Sequence, residues 1–220
     1  MSYTEIDSYL TNHLDDSIAE LSKLVAQPSV GAQNWGLEEC AALVADLLKK
    51  RGFATEILPT GGAPVVFGER KGQNAAKTLL FYCHYDVQPP EPLELWETPP
   101  FEPSLRDGKL YGRGVSDDKS HITSRLFAVD ALLAAEGELP CNVKFIIEGE
   151  EETGSIHLPA FITANKEKLA ADACIWEFGG VDHREVPMQY LGLRGICYVE
   201  LSVETRSEEH TSELQSPNTI

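Results

Sequence analysis

The apolar residues of the chain recur at helical spacing in four segments. In residues 3–26, apolar positions from Ile6 to Leu24 follow one another three or four residues apart, which is typical of the buried face of an amphipathic helix. Pro28 ends this helix, and Gly52 ends the next one. The pattern predicts helices at residues 3–26, 36–51, 120–136 and 157–170.

Three continuous apolar runs have the length of a strand. They occupy residues 78–83, 142–147 and 173–176, and such runs are typical of strands that are covered on both faces. Shorter strand patterns occupy residues 55–58, 65–68 and 109–111. Because strands alternate with helices, the sequence predicts an α/β fold, a three-layer sandwich with a mostly parallel central sheet.

The pattern changes after residue 186. The segment that starts at Pro187, PMQYLGLRGICYVELSVE, is rich in strand-forming residues and has no helical period, so we expect it to open a second domain. Residues 206–216 match the translation of a common sequencing-library adapter. The predicted organisation is a first domain at 1–186, the first strands of a second domain at 187–205, and a non-native tail at 206–220.

Composition and charge exclude several classes of partner. The chain is 42% hydrophobic and 24% charged, as expected for a protein that buries a core. It has 18 Lys and Arg and 35 Asp and Glu, and the resulting net charge of −17 argues against nucleic acid or an anionic membrane as partner. The N-terminus shows no signal-peptide pattern, and five widely spaced cysteines are typical of reduced core thiols, so we expect a cytoplasmic protein.

Polar side chains follow each predicted buried strand. His84 and Asp86 follow the first run, the acidic run 148–152 the second and Glu177 the third, while Asp117 and its acidic neighbour precede a helix. Each has an ordinary alternative: a core or surface histidine, a solvated loop, or a helix N-cap. Ligand groups at the carboxyl ends of such strands meet at one edge of the sheet. Imidazole and carboxylates without thiolates suit Zn²⁺, with Mn²⁺ or Co²⁺ possible.

Three motifs make a known family recognisable. HYDVQP, LYGRGVSDDKS and EGEEETGS, spaced as they are, resemble the di-zinc metallohydrolase family of carnosinase, aminoacylase and carboxypeptidase G. The resemblance runs from the first helix to about Glu204, and by eye it is strongest to the cytosolic carnosinase-like dipeptidases. It implies a catalytic domain at 1–186, a lid and dimerisation domain that begins at 187, and a homodimer of the full-length protein.

The resemblance implies a site for two divalent metal ions, most commonly zinc. His84 and Glu177 would bind the first ion. Asp117 would bridge the two ions, and Glu152 would bind the second.

Two catalytic roles and one backbone feature are also implied by the resemblance. Asp86 would orient the imidazole ring of His84. Glu151 would be the general base, which takes a proton from the attacking water and returns it to the leaving amine. A cis peptide bond that is usual in the family would join Asp117 to Asp118.

The implied reaction is metal-dependent hydrolysis of the amide bond of a small peptide by a water that two metal ions activate. A deacylase or carboxypeptidase that acts on N-acyl amino acids is the nearest alternative, because Glu177 stands where dipeptidase-like members usually carry Asp. A non-catalytic homologue is a further alternative, against which Glu151 argues. The family's returning catalytic segment, with its second-site histidine, has no match here, so we expect residues 1–205 to be inactive alone and poorly soluble.

The remaining acidic residues and histidines near these motifs receive structural interpretations. Glu148 and Glu150 are expected to add only flanking charge. His13 and His157 are expected at the surface of predicted helices. His121, near the start of a predicted helix, and His183, in a loop, are expected to have no role in the site, with an approach to the site as the alternative for both.

Overall fold

The structure, a computed structural model, describes residues 3–177, 179–184, 186–188, 190, 192, 195 and 197–203. It divides into two compact units, Met1–Gly180 and Val181–Ile220. The described part of the first unit contains seven strands: β1 (Ala54–Leu58), β2 (Val65–Arg70), β3 (Asn74–His84), β4 (Ser104–Arg106), β5 (Lys109–Tyr111), β6 (Cys141–Glu148) and β7 (Ala173–Ile175). The hairpin β4–β5 stands apart, and the other five strands form one sheet in the order β1-β2-β6-β3-β7.

Four of the five strands in this sheet point in the same direction. β3 pairs in parallel with both β6 and β7, whereas β2 is antiparallel to β6 and to β1, so β2 alone is reversed among the described strands. The central strand β6 is buried along nearly its whole length, as its continuous apolar run predicts. The predicted α/β fold with a mostly parallel sheet is confirmed.

Six α-helices occur among the described residues of the first unit: α1 (Tyr3–Asn12), α2 (Leu14–Ala26), α3 (Leu37–Lys50), α4 (Ser120–Glu136), α5 (Leu158–Ala164) and α6 (Lys166–Leu169). Residues of α2, α3 and α4 share one core with one face of the sheet. Those of α5 and α6 share a second core with the other face. Alternation along β6 sends Ile147 into the first core and Ile146 into the second. The predicted three layers follow from this alternation.

Two helices that the apolar period predicts as single are each divided, so those two predictions are wrong. The break in 3–26 falls at His13, which leaves helical geometry (φ −116°, ψ 16°) while its ring stacks on Tyr9 and pairs with Asp16. The break in 157–170 falls at Asn165, whose side-chain amide donates to the carbonyl of Phe161 (2.9 Å). In both places a polar side chain makes local contacts that compete with the continuing helix.

Arg51, at the end of α3, links three helices. Its guanidinium donates to Glu20 of α2 (Nη2–Oε1, 2.6 Å) and to Asp130 of α4 (Nη2–Oδ2, 2.6 Å). The Arg51 side chain is only 6% exposed. Removing one partner of such a buried ion pair destabilises a fold by about 3–5 kcal/mol, so this network is a structural brace for the helical layer.

In the second unit the described residues form one antiparallel bridge, between Val181 and Pro187. Beyond that bridge, the described positions within 187–205 form no strand. The predicted tail at 206–220 lies outside the described residues, and the domain boundary stays a prediction. None of the described helices is long and apolar enough to cross a membrane.

The cysteines are free thiols, as predicted, but they do not all lie in the core. Cys40 and Cys83 are buried, whereas Cys174 and Cys197 are exposed. Cys174 is exposed because β7 is a short strand at the edge of the described sheet.

Candidate metal-binding active site

The sheet topology brings the predicted site residues to one edge. His84 is the last residue of β3 and lies beside Glu148, the last residue of β6. Glu177 follows the end of β7, and Asp117 lies in a turn of irregular helix just before α4. His84, Glu148 and Glu177 therefore lie at or just beyond the carboxyl ends of parallel strands, where open α/β sheets bind ligands. Asp117 reaches the same edge from the turn before α4.

The imidazole of His84 is the centre of this edge. It is 1% exposed, and its Nε2 lies 2.9 Å from Asp117 Oδ1, 3.6 Å from Glu177 Oε2 and 3.8 Å from Glu151 Oε2. Its Nδ1 faces the main-chain carbonyl of Asp86 at 3.1 Å. A carbonyl oxygen can only accept, so Nδ1 carries a hydrogen and Nε2 is the nitrogen that faces the carboxylates.

Burial alone would lower the pKa of His84, but its hydrogen bonds to Asp117 and Asp86 and the charge of Asp118 raise that pKa to about 11. The hydrogen bond to His84 in turn lowers the pKa of Asp117. These shifts show that the carboxylates create a strongly negative potential at Nε2.

Asp118 holds the main chain of His84 in place. Its side chain is buried, and its Oδ2 accepts the main-chain N–H of His84 (3.0 Å) while its Oδ1 accepts a hydrogen bond from His121. The predicted cis peptide bond between Asp117 and Asp118 is present. His84, Asp117 and Asp118 each offer an atom within 4.8 Å of the others, close enough to share an ion. Since His121 bonds to Asp118, the alternative in which it approaches the site is the one that the geometry supports.

Asp86 does more than the sequence indicates. Beside its contact with the His84 ring, its Oδ1 accepts the N–H of Glu151 (3.1 Å) and its Oδ2 accepts the N–H of Glu152 (3.0 Å). The N–H groups at the start of a short helical turn lack intrahelical acceptors, and this fully buried carboxylate supplies them. A side chain at Gly31 would collide with Asp86, which accounts for the glycine there.

Glu151 and Glu152 point from this turn toward the same edge. Burial raises the pKa of both carboxyl groups, and the charge of His84 lowers it in part. The amide of Gln88 holds Glu152 through its side-chain oxygen (2.8 Å) and its carbonyl (3.1 Å). Gln88 is a contact that sequence analysis missed, although it lies within the HYDVQP motif.

Glu177 provides the observation that tests whether a cation fits. Its Oε2 is buried and finds no hydrogen-bond donor among the described residues. Burial raises the pKa of Glu177 to about 7, against the lowering effect of His84. An unpartnered carboxylate oxygen beside an imidazole nitrogen and a second carboxylate is a donor set that suits Zn²⁺ or a similar divalent ion, so the residues present fit the implied metal.

Glu148 and Glu150 are not the flanking charges that the sequence predicts. Glu148 is 2% exposed and accepts hydrogen bonds from Tyr82 (2.5 Å) and Ser155 (2.8 Å). Glu150 pairs with His157 at 2.9 Å, so His157 is half-buried rather than a free surface residue. The prediction is wrong because the strand β6 carries its last carboxylate into the protein, where two hydroxyl groups pair with it.

The geometry agrees with the comparison to known proteins. Residues 80–215 match the family described as Peptidase family M20/M25/M40. The chain belongs to this family. The predicted resemblance is therefore confirmed, and the match also covers residues 206–215, whose assignment to a non-native tail stays a prediction.

Relatives of the M20 chain include enzymes with different names. The Beta-Ala-His dipeptidase of Homo sapiens is 31% identical, over 94% of this chain and 45% of the relative. The succinyl-diaminopimelate desuccinylase of Dechloromonas aromatica is 34% identical, over 74% of this chain and 42% of the relative. An M20 family metallo-carboxypeptidase structure from Sulfolobus solfataricus has a TM-score of 0.73 and 39% identity, over 77% of this chain and 38% of that one. The M20 chain thus spans about half the length of the curated relatives it matches.

We expect the stability of a Glu148→Gln variant to rise relative to the wild type as the pH increases. Burial raises the folded-state pKa of Glu148, so the folded protein binds that proton more tightly than the unfolded chain does. As the pH rises from below the pKa of Glu148 in the unfolded chain to above its pKa in the folded protein, the free energy of unfolding of the wild type therefore falls. The glutamine variant lacks this titrating proton, so its free energy of unfolding does not fall for this reason. Urea unfolding between about pH 4 and about pH 8 measures the difference.

The matched control is Glu138→Gln, because Glu138 is exposed and the change of charge is the same. A stability difference between wild type and Glu148→Gln that is constant with pH, or that shifts in favour of the wild type, would contradict the interpretation.

Proposed function

We propose that the protein hydrolyses the amide bond of small peptides in a metal-dependent reaction, as a dipeptidase does. The observation that carries the proposal is the convergence of Asp117, Glu177 and Glu151 on the buried Nε2 of His84. One buried oxygen of Glu177 finds no donor in the part of the chain that the structure describes. Such a concentration of carboxylates is stabilised when cations meet its charge. The family and the dipeptidase names among the relatives support the same reaction class.

Four side chains would hold two divalent ions. His84 and Glu177 would bind the first ion and Asp117 would bridge to the second. Glu152 would bind the second ion. Nitrogen and oxygen donors without thiolates favour zinc, with manganese or cobalt as alternatives. When bound, such ions supply Lewis acidity, which makes a water more acidic and a carbonyl carbon more electrophilic.

Glu151 would act as general base. Its carboxylate lies at the same edge, 3.8 Å from His84 Nε2, and burial raises its pKa, which makes it a stronger base. A base placed there takes the proton of the attacking water at Oε2 and delivers it to the nitrogen of the leaving amine, which departs neutral. Asp86 would fix the position of this base, because it accepts the N–H of Glu151, and it would hold the ring of His84 at the same time.

We expect Glu151→Gln to lower kcat by about 10²–10⁴-fold, because the amide cannot accept the proton of the water. Metal content should remain that of the wild type, since Glu151 is not among the four proposed ligands. Dipeptide hydrolysis and metal content, measured on the whole gene product, provide the two readouts.

Asp46→Asn is the control for the loss of one carboxylate, because Asp46 makes only an exposed pair with Lys49. If Glu151→Gln retained the turnover of the wild type, Glu151 would not be the base.

A second candidate function is removal of the acyl group from an N-acyl amino acid. Two observations favour it: the glutamate at position 177, and relatives that are named a desuccinylase and a metallo-carboxypeptidase. Both reactions break an amide bond at the same edge of the sheet, so they differ in the groups that bind the substrate on either side of that bond.

We expect a free dipeptide to be hydrolysed with a kcat/KM at least tenfold above that of the corresponding N-acetyl amino acid, a difference of about 1.4 kcal/mol in transition-state binding. Release of a common C-terminal amino acid from both substrates gives a matched comparison. The opposite ratio would assign the protein to the deacylase branch. The homodimer, the cytoplasmic location and the inactivity of residues 1–205 alone stay predictions.

A further inference from the structure

The pairing of β3 with β7 ends before the two strands reach the site. Its last pair is Phe81 and Ile175. The two candidate ligands, His84 and Glu177, lie beyond this pair, yet their side chains stand 3.6 Å apart. Something other than the ladder must fix the separation of the two strand ends.

Arg125 of α4 spans these ends. Its Nη1 donates to the carbonyl of Tyr82 (3.1 Å) and contacts Cys83 Sγ, and its Nη2 donates to the carbonyl of Trp176 (2.7 Å). Cys83 and Trp176 directly precede the two candidate ligands. A single guanidinium therefore ties together the backbone just ahead of both ligands.

Ring contacts reinforce this bridge. The ring of Trp176 stacks on that of Tyr82, with centroids 3.9 Å apart and planes 20° from parallel. The guanidinium of Arg125 also lies 5.7 Å from the centroid of the Phe81 ring. The stack joins the same two strand ends as Arg125 does, and the Phe81 ring lies beside the guanidinium, whose two donor nitrogens face different strands.

Only a forked donor suits this position. The planar guanidinium offers several N–H groups in fixed directions, and here two of its nitrogens bond to carbonyls on separate strands. A lysine ammonium is a compact donor on a flexible chain, and it cannot reproduce that geometry. Replacing Arg125 by lysine thus keeps the charge and removes the link.

We propose that Arg125 is a positioning residue for the first metal site, which sets the separation of His84 and Glu177 by joining the ends of β3 and β7. The inference rests on the proposed function, because it takes these two side chains to share an ion. Mutation of a group that orients metal ligands without binding the metal itself typically lowers metal affinity by about 10–100-fold.

The test is the Zn²⁺ affinity of the 220-residue chain, measured by competition with a chromogenic chelator. We expect Arg125→Lys to weaken binding at the site that depends on His84 by about tenfold or more. Because Arg125→Ala removes the guanidinium altogether, millimolar guanidinium in solution should restore part of its affinity, and ammonium should not. A residue that only stabilises the fold would not show this selective rescue.

Two further variants separate the possible outcomes. Arg51→Lys alters another buried guanidinium that bridges helices, and we expect it to lower the melting temperature without changing Zn²⁺ affinity. His84→Ala defines the background. Equal affinity of His84→Ala and the wild type would refute the metal site itself. Wild-type affinity in Arg125→Lys, or an equal loss in Arg51→Lys, would refute the role of Arg125 while the site remained.

Discussion

The buried imidazole of His84 in a field of carboxylates is the interaction on which the rest of the site depends. Its ring is almost fully removed from water, and three carboxylates approach its Nε2 within 4 Å. Carboxylates gathered around one atom repel one another, and the repulsion is stronger in a medium less polar than water. The hydrogen bonds of His84 to Asp117 and Asp86 raise the pKa of the ring, as such a negative surrounding would. Divalent cations would meet this charge. Glu177 Oε2, which has no donor among the described residues, lies 3.6 Å from His84 Nε2.

The fold serves this constraint by bringing strand ends together and then fixing them with side chains. Parallel strands deliver His84 and Glu177 to the same edge, but β7 is short and its ladder ends early. On one side of the site, Asp86 accepts the N–H groups of Glu151 and Glu152 and so fixes their turn. On the other side, Arg125 donates hydrogen bonds to carbonyls at the ends of β3 and β7 and so joins them. Site geometry therefore comes from hydrogen bonds that begin where regular structure stops.

Features that depend on local pattern are predictable from the sequence. Continuous apolar runs identify the central strands, and a polar residue after such a run, as at His84, identifies the edge that carries the site. Contacts between distant elements have no such signal, so the bridge from Arg125 was not found. Glu148 was misread for the same reason, since only the packing against Tyr82 shows that its carboxylate is buried. The break at His13 was missed because apolar periodicity does not report competing side-chain contacts.

The most direct test of the account is anomalous diffraction at the zinc absorption edge from crystals of the protein grown with Zn²⁺. The account predicts a peak about 2.0–2.2 Å from His84 Nε2 and from a carboxylate oxygen of Glu177, the distances that zinc makes with nitrogen and oxygen ligands. Glu177 Oε2, which is buried and meets no donor within the described ranges, should be one of the atoms that face the ion. A peak that lies only elsewhere, with His84 Nε2 still bonded to Asp117, would contradict the account.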